Sequence, residues 1–223
     1  MARFSRVHVW STMEQVGLVP LFYHGDIETS IHVIEALSAG GARIVEFTNR
    51  GDRAFEVFRE LVLHFEQNDP ELVLGAGSIL DPVTAGLYIN LGANFIVGSC
   101  LNAEVARLCN RRKIAYFPGC ATASEISYAE ELGVEICKVF PASELGGPSF
   151  VKAILGPTPW TKLMPTGGVD ATRTSLEGWF KAGVVCVGMG SALVRNDLIK
   201  ARNWQAITDL TAQCLSWVRE IRA

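Results

Sequence analysis

Residues 40–66 read GGARIVEFTNRGDRAFEVFRELVLHFE, and they contain one complete strand–helix unit. Arg43-Ile44-Val45-Glu46-Phe47 is a short β-branched and aromatic run of the kind that forms a strand. After a turn at Asn49-Arg50-Gly51, the period changes. Ala54, Phe55, Phe58, Leu61, Val62 and Phe65 recur at helical spacing against Asp52, Arg53, Glu56, Arg59 and Glu60, which predicts an amphipathic helix over 52–66.

The same unit recurs in both directions along the chain. Strands are expected at 17–22, 43–47, 72–76, 94–97, 114–117, 134–139, 162–165 and 184–187. Helical patterns fill the intervals, at about 27–39, 82–91, 101–111, 122–132, 148–155, 171–181 and 203–221. Glycines at Gly40-Gly41, Gly92, Gly133 and Gly183 stand where helices stop before the next apolar run. Eight strands, each followed by a helix, are the count of a (β/α)₈ TIM barrel. A doubly wound open sheet alternates in the same way, but eight units in 223 residues favour the compact barrel. A single domain over 1–223 is expected, with residues 1–16 as an N-terminal helix capping the barrel bottom.

Composition narrows the partners. The chain is 49% hydrophobic with a formal net charge of −3, so it offers no basic field for nucleic acid or anionic lipid. No apolar run reaches the length of a membrane span. The first residues lack the apolar core of a signal peptide. Six cysteines stand singly, at 100, 109, 120, 137, 186 and 214, several of them inside apolar runs. This pattern predicts buried reduced thiols in a cytoplasmic protein rather than disulfides or a zinc site. The histidines show no ligand spacing, and neither metal nor cofactor is expected.

Barrel chemistry sits at the C-terminal ends of strands. Alternation puts Ile44, Glu46 and Thr48 on one face of their strand and Ile136 and Lys138 on one face of theirs. If the isoleucines face the axis, Lys138 and Glu46 both enter the upper interior. A lysine amine buried there titrates low and becomes a nucleophile for a ketone. Lys138 could instead point outward along a helix, and Glu46 could merely neutralise it. Thr166-Gly167-Gly168 and Gly190-Ser191 occupy the loops after the last two strands, where such barrels hold phosphate; either could be a mere tight turn, but two at adjacent strands favour phosphate binding. Arg50 could fork onto a carboxylate or lie in solvent.

Five motifs in order then resemble the 2-keto-3-deoxy-6-phosphogluconate (KDPG) / 4-hydroxy-2-oxoglutarate (KHG) aldolase family. They are Gly41-Ala42-Arg43-Ile44-Val45-Glu46-Phe47-Thr48, Gly75-Ala76-Gly77-Ser78, Lys138-Val139-Phe140-Pro141-Ala142, Pro165-Thr166-Gly167-Gly168-Val169 and Gly188-Met189-Gly190-Ser191. The resemblance implies a class I aldolase, a lyase releasing pyruvate and glyceraldehyde 3-phosphate from a phosphorylated keto acid, and commonly a homotrimer. It implies Lys138 as the Schiff-base lysine and Glu46 as the general acid/base. Arg50 would hold the carboxylate, Ser78 would lie near the pyruvyl group and Thr166 would contact substrate. Gly167, Gly168 and Ser191 would bind phosphate, with Gly190 beside them.

The chain departs from the pattern at Tyr23, where an arginine is common, at Gly51, where threonine is common, and at Ser143-Glu144. These changes fall on the substrate side, so KHG or the galacto epimer of KDPG stay open as substrates. A sugar-phosphate isomerase or epimerase with Glu46 as base also stays open; against a non-catalytic sugar-phosphate binder stand both Lys138 and Glu46, since a mere binder has no need of an interior lysine.

Overall fold

The computed structural model describes residues 2–223. Helix α1 (Arg6–Val16) precedes β1 (Leu18–Phe22), and the chain then alternates through α2 (Ile27–Ala39), β2 (Ile44–Thr48), α3 (Ala54–Asn68), β3 (Val73–Gly77), α4 (Pro82–Asn90), β4 (Phe95–Val97) and α5 (Ala103–Arg112). There follow β5 (Ala115–Phe117), β6 (Gly119–Cys120), α6 (Ala123–Glu131), β7 (Cys137–Val139), α7 (Pro148–Leu155), β8 (Leu163–Pro165) and α8 (Arg173–Lys181). The chain ends in β9 (Val187–Met189), α9 (Asn196–Lys200) and α10 (Trp204–Arg222). Side-chain caps start many of these helices: Asp26, Asp81, Asn102, Thr122, Thr172 and Asn203 each accept backbone N–H bonds from the first turn.

All strand pairs are parallel. Six strands run in the order β5-β4-β3-β2-β1-β9, and three more in the order β6-β7-β8. The two pieces meet at a parallel bridge between Thr166 and Gly188 and through the chain itself at Pro118. The result is a curled parallel sheet wrapped by helices.

The fifth expected strand, 114–117, appears as β5, and a further segment, β6, follows it beyond Pro118. Proline has no N–H to donate to a ladder, so the pairing breaks at Pro118. Its carbonyl accepts from the Lys138 N–H at 3.0 Å, and the Gly119 N–H turns to the Gly98 carbonyl at 3.1 Å. Two other boundaries move. The expected strand 134–139 pairs only from Cys137, and the expected strand 184–187 pairs over 187–189. Val134, Ile136, Val184 and Cys186 are buried all the same; their apolar character reports burial, and not the ladder.

Two apolar clusters define inside and outside. The larger lies between strands and helices; Ala54, Val57, Phe58, Leu61, Val62 and Phe65 of α3 belong to it, and Phe55 packs against it partly buried. The smaller runs down the middle, with Val19, Ile44, Val73, Phe95, Phe117 and Met164 contributed from strands and Ile136 and Cys186 from the positions just before β7 and β9. Val9 and Met13 of α1 join it, so the N-terminal helix closes the end of the sheet where the strands begin, as expected of a cap.

Candidate active site

Residues two positions beyond this inner layer lie on the same face, one step closer to the C-terminal ends. From Ile44 that step reaches Glu46, from Ile136 Lys138 and from Met164 Thr166; from Val73, Phe117 and Cys186 it reaches Gly75, Gly119 and Gly188. Three polar side chains therefore share a level whose remaining floor is largely glycine. Register agrees for two of these: Glu46 lies opposite Gly75, and Lys138 opposite Gly119.

The glycines provide room. A Cβ on Gly77 would stand 1.8 Å from Glu46 Oε1, and one on Gly188 2.3 Å from Thr166 Oγ1. A Cβ on Gly75 would strike the Phe95 ring at 2.4 Å. Two polar groups of the upper layer thus fill space that any other residue would take.

Glu46 is 1% exposed and Lys138 5% exposed. Lys138 Nζ lies 3.9 Å from Glu46 Oε1 and 5.2 Å from the centre of the Phe140 ring. Neither Glu46 oxygen has a hydrogen bond from the described residues, and neither does Thr166 Oγ1. Buried polar atoms are nearly always satisfied. Unsatisfied ones converging beside a buried amine make a place for a polar ligand.

A cavity of about 400 Å³ opens next to this layer. Arg50, Thr166, Gly167, Gly168, Gly190 and Ser191, six of the residues expected in the site, line it. Lys138 and Glu46 are not in its wall, and Phe140, which is, stands next to the amine. Ser78 is not in the wall either; it sits half-buried at the end of β3 with φ 59°, a left-handed conformation that is uncommon for serine.

Backbone geometry prepares the glycine loop. Gly167 and Gly168 both have positive φ, 86° and 76°, so this turn requires glycine. A Cβ on Gly168 would also meet Ser143 at 2.2 Å. Their carbonyl neighbours are tied down: Ala142 N–H donates to Thr166 O at 2.9 Å and Ser143 N–H to Gly167 O at 3.1 Å. The loop before Arg50 is held by the Tyr88 hydroxyl, which donates to Asn49 Oδ1 at 2.9 Å, and burial pushes the Tyr88 phenol well above its ordinary range.

Sequence reasoning did not assign roles to Tyr23, Phe140, Asp170 or Asn196, all of which line the cavity. For Tyr23 and Phe140 the signal was available, since each lies two residues beyond Leu21 or Lys138, on the inward parity of its strand. Asp170 and Asn196 enter through loop conformation, which periodicity does not report. Of the six cysteines, Cys100 is exposed and the other five are buried and unpaired, and burial raises Cys109 to about 12. Among the described residues there is no cluster of three or more potential metal ligands, and no helix is long and apolar enough to cross a membrane.

Comparison with known proteins agrees with this arrangement. The family model described as KDPG and KHG aldolase matches residues 9–210. A 2-dehydro-3-deoxy-phosphogluconate aldolase of Pseudoalteromonas atlantica is 30% identical over 216 residues, 97% of this chain and 98% of the relative. The KHG/KDPG aldolase of Escherichia coli is 30% identical over 198 residues, covering 89% and 90%. Among solved structures, a Legionella pneumophila KDPG aldolase holding pyruvate as a covalent carbinolamine superposes with a TM-score of 0.83 at 30% identity, over 91% of this chain and 95% of that one.

Proposed function

The chain belongs to the KDPG and KHG aldolase family and is a lyase of the class I, Schiff-base kind; from this we propose that Lys138 is its imine-forming residue and Glu46 its proton carrier. The substrate in this reading is KDPG or a close analogue, cleaved to pyruvate and glyceraldehyde 3-phosphate. The observation that carries the reading is the buried carboxylate of Glu46, free of hydrogen bonds, 3.9 Å from the Lys138 amine.

The steps follow from that contact. Lys138 gives up a proton to the Glu46 carboxylate and adds through Nζ to the C2 ketone. Glu46 returns that proton to the carbinolamine hydroxyl, which leaves as water; the carboxylate is restored, and the positive nitrogen of the iminium draws electrons from the C3–C4 bond. Glu46, acting through a water, takes the proton of the C4 hydroxyl as that bond breaks. The aldehyde departs and leaves an enamine on Lys138. Protonation at C3 and hydrolysis of the resulting iminium release pyruvate and return the lysine. Positioned proton transfer of this kind is worth about 10²–10⁴-fold.

The other residues sort along the substrate. Arg50 at the cavity mouth suits the C1 carboxylate. Thr166 and Ser78 suit the pyruvyl end. Gly167, Gly168, Gly190 and Ser191 suit the C6 phosphate, because backbone without side chains lets N–H groups approach an anion. The Escherichia coli relative is called a KHG/KDPG aldolase, which supports 4-hydroxy-2-oxoglutarate as a second substrate.

The same reading takes the sheet as a fully closed (β/α)₈ barrel in one domain, supported by the Thr166–Gly188 bridge and by the hydrogen bonds that flank Pro118. It also takes the protein as a cytoplasmic homotrimer. Leu80, Val83 and Leu87, 51%, 82% and 40% exposed at and before α4, support burial of that face between copies.

The test is trapping. Incubated with pyruvate and borohydride, the protein is expected to gain a reduced pyruvate adduct on the Lys138 peptide, and Lys138→Ala to gain none. Folded protein that forms no adduct, or forms it on another lysine, would overturn the assignment.

A further inference from the structure

One side chain in the cavity wall has no task in the chemistry above. Tyr23, half-buried just beyond β1, lines the cavity together with Arg50. Its ring packs on Phe47 at 5.7 Å between centroids, and Phe47 is itself wedged among Phe22 and Phe58, so the ring rests on fixed aromatic neighbours.

The hydroxyl end lies over Gly51. A Cβ there would stand 2.0 Å from Tyr23 Oη and 2.6 Å from Cζ. Gly51 is not among the glycines with positive φ, so its backbone would accept any residue. What requires glycine at 51 is the phenol that occupies the space, and Arg50 is the next residue along. The pair thus sets a phenol against the backbone that carries Arg50, at the edge of the cavity.

The order of strands says which part of a substrate this phenol meets. β1 lies between β9 and β2. Gly190 and Ser191 follow β9, and Arg50 follows β2, so Tyr23 stands between the proposed phosphate and carboxylate anchors. We propose that Tyr23 is a specificity-determining residue whose hydroxyl, held over Gly51, hydrogen-bonds the C5 hydroxyl of the substrate and so favours a six-carbon keto acid over 4-hydroxy-2-oxoglutarate. The inference rests on the proposed function. A site built around a substrate hydroxyl discriminates against molecules that lack it, because its own polar group is then unpaired.

Tyr23→Phe keeps the ring and removes only the hydroxyl. It is expected to lower kcat/KM for KDPG about tenfold, the size of one neutral hydrogen bond, with cleavage of 4-hydroxy-2-oxoglutarate and borohydride trapping of pyruvate unchanged. Gly51→Ala, which pushes the ring aside, is expected to reproduce the same loss of preference. Equal effects of Tyr23→Phe on both substrates, or slower pyruvate trapping, would overturn the inference, as would an unaltered ratio. Absence of trapping in the unsubstituted protein would instead overturn the Schiff-base assignment of Lys138.

Discussion

Glu46 reaches the level of Lys138 because residue 77 has no side chain: Oε1 of the carboxylate stands 1.8 Å from where the Gly77 Cβ would be. Gly77 is the last residue of β3 and lies opposite Thr48, so the two neighbouring strands divide one space between them. The glycine's backbone is ordinary strand, outside the positive-φ set, and alanine could adopt it.

Gly77→Ala is therefore expected to keep the fold and displace the carboxylate. With Glu46 moved, proton transfer should fail first. We expect kcat to fall on the order of 10²-fold or more while pyruvate still forms a trappable imine at Lys138, more slowly. Thermal melting and single-turnover cleavage, measured on the same preparation, check this. A Gly77→Ala protein of unchanged kcat would show that Glu46 does not carry the proton from its present position.

The buried pair also makes a stability prediction. Removing one partner leaves the other charge without compensation, which typically costs about 3–5 kcal/mol. Lys138→Met is expected to fall in that range or below it, because Glu46 can take up a proton instead. Adding Glu46→Gln to Lys138→Met should restore part of the loss. Urea unfolding of the two single variants and the double variant reads the coupling; strictly additive effects would mean that the 3.9 Å contact is energetically idle.

The inward layer was legible in the sequence because strand alternation is rigid. Placing Ile44 and Ile136 on the axis placed Glu46 and Lys138 above them, and both pairs stand so. Thr166 and the glycine loops followed from their position after the last strands. The segment beyond Pro118 was harder to see, since the apolar run ends at Phe117 and Gly119–Cys120 is too short to show a period. The Tyr23–Gly51 contact was not legible at all. It joins residues on adjacent βα loops, and the reason for the glycine is a ring from elsewhere in the chain. The left-handed Ser78 was likewise hidden, because serine carries no mark of the conformation that glycine would announce.

The N-terminal helix predicts a pH effect away from the site. Lys162, next to β8, lies 2.7 Å from Glu14 of α1 and 2.9 Å from Glu135, and these carboxylates raise its pKa above the ordinary lysine value. A group whose folded pKa is raised contributes stability in full below its unfolded pKa, and loses it as pH rises through the folded one. The contribution is thus complete at neutral pH and fades only in strongly alkaline solution. All three side chains are about one-third exposed, so solvent screening keeps it to about 1 kcal/mol. Lys162→Met is expected to lower the melting temperature by a few degrees at pH 7, and the gap to the unsubstituted protein should narrow above pH 10.5, the ordinary lysine value. Because α1 closes the sheet far from the cavity, kcat at 25 °C should be unchanged. A gap that stayed constant into alkaline solution would mean that packing of the lysine stem, and not its charge, ties the cap to β8.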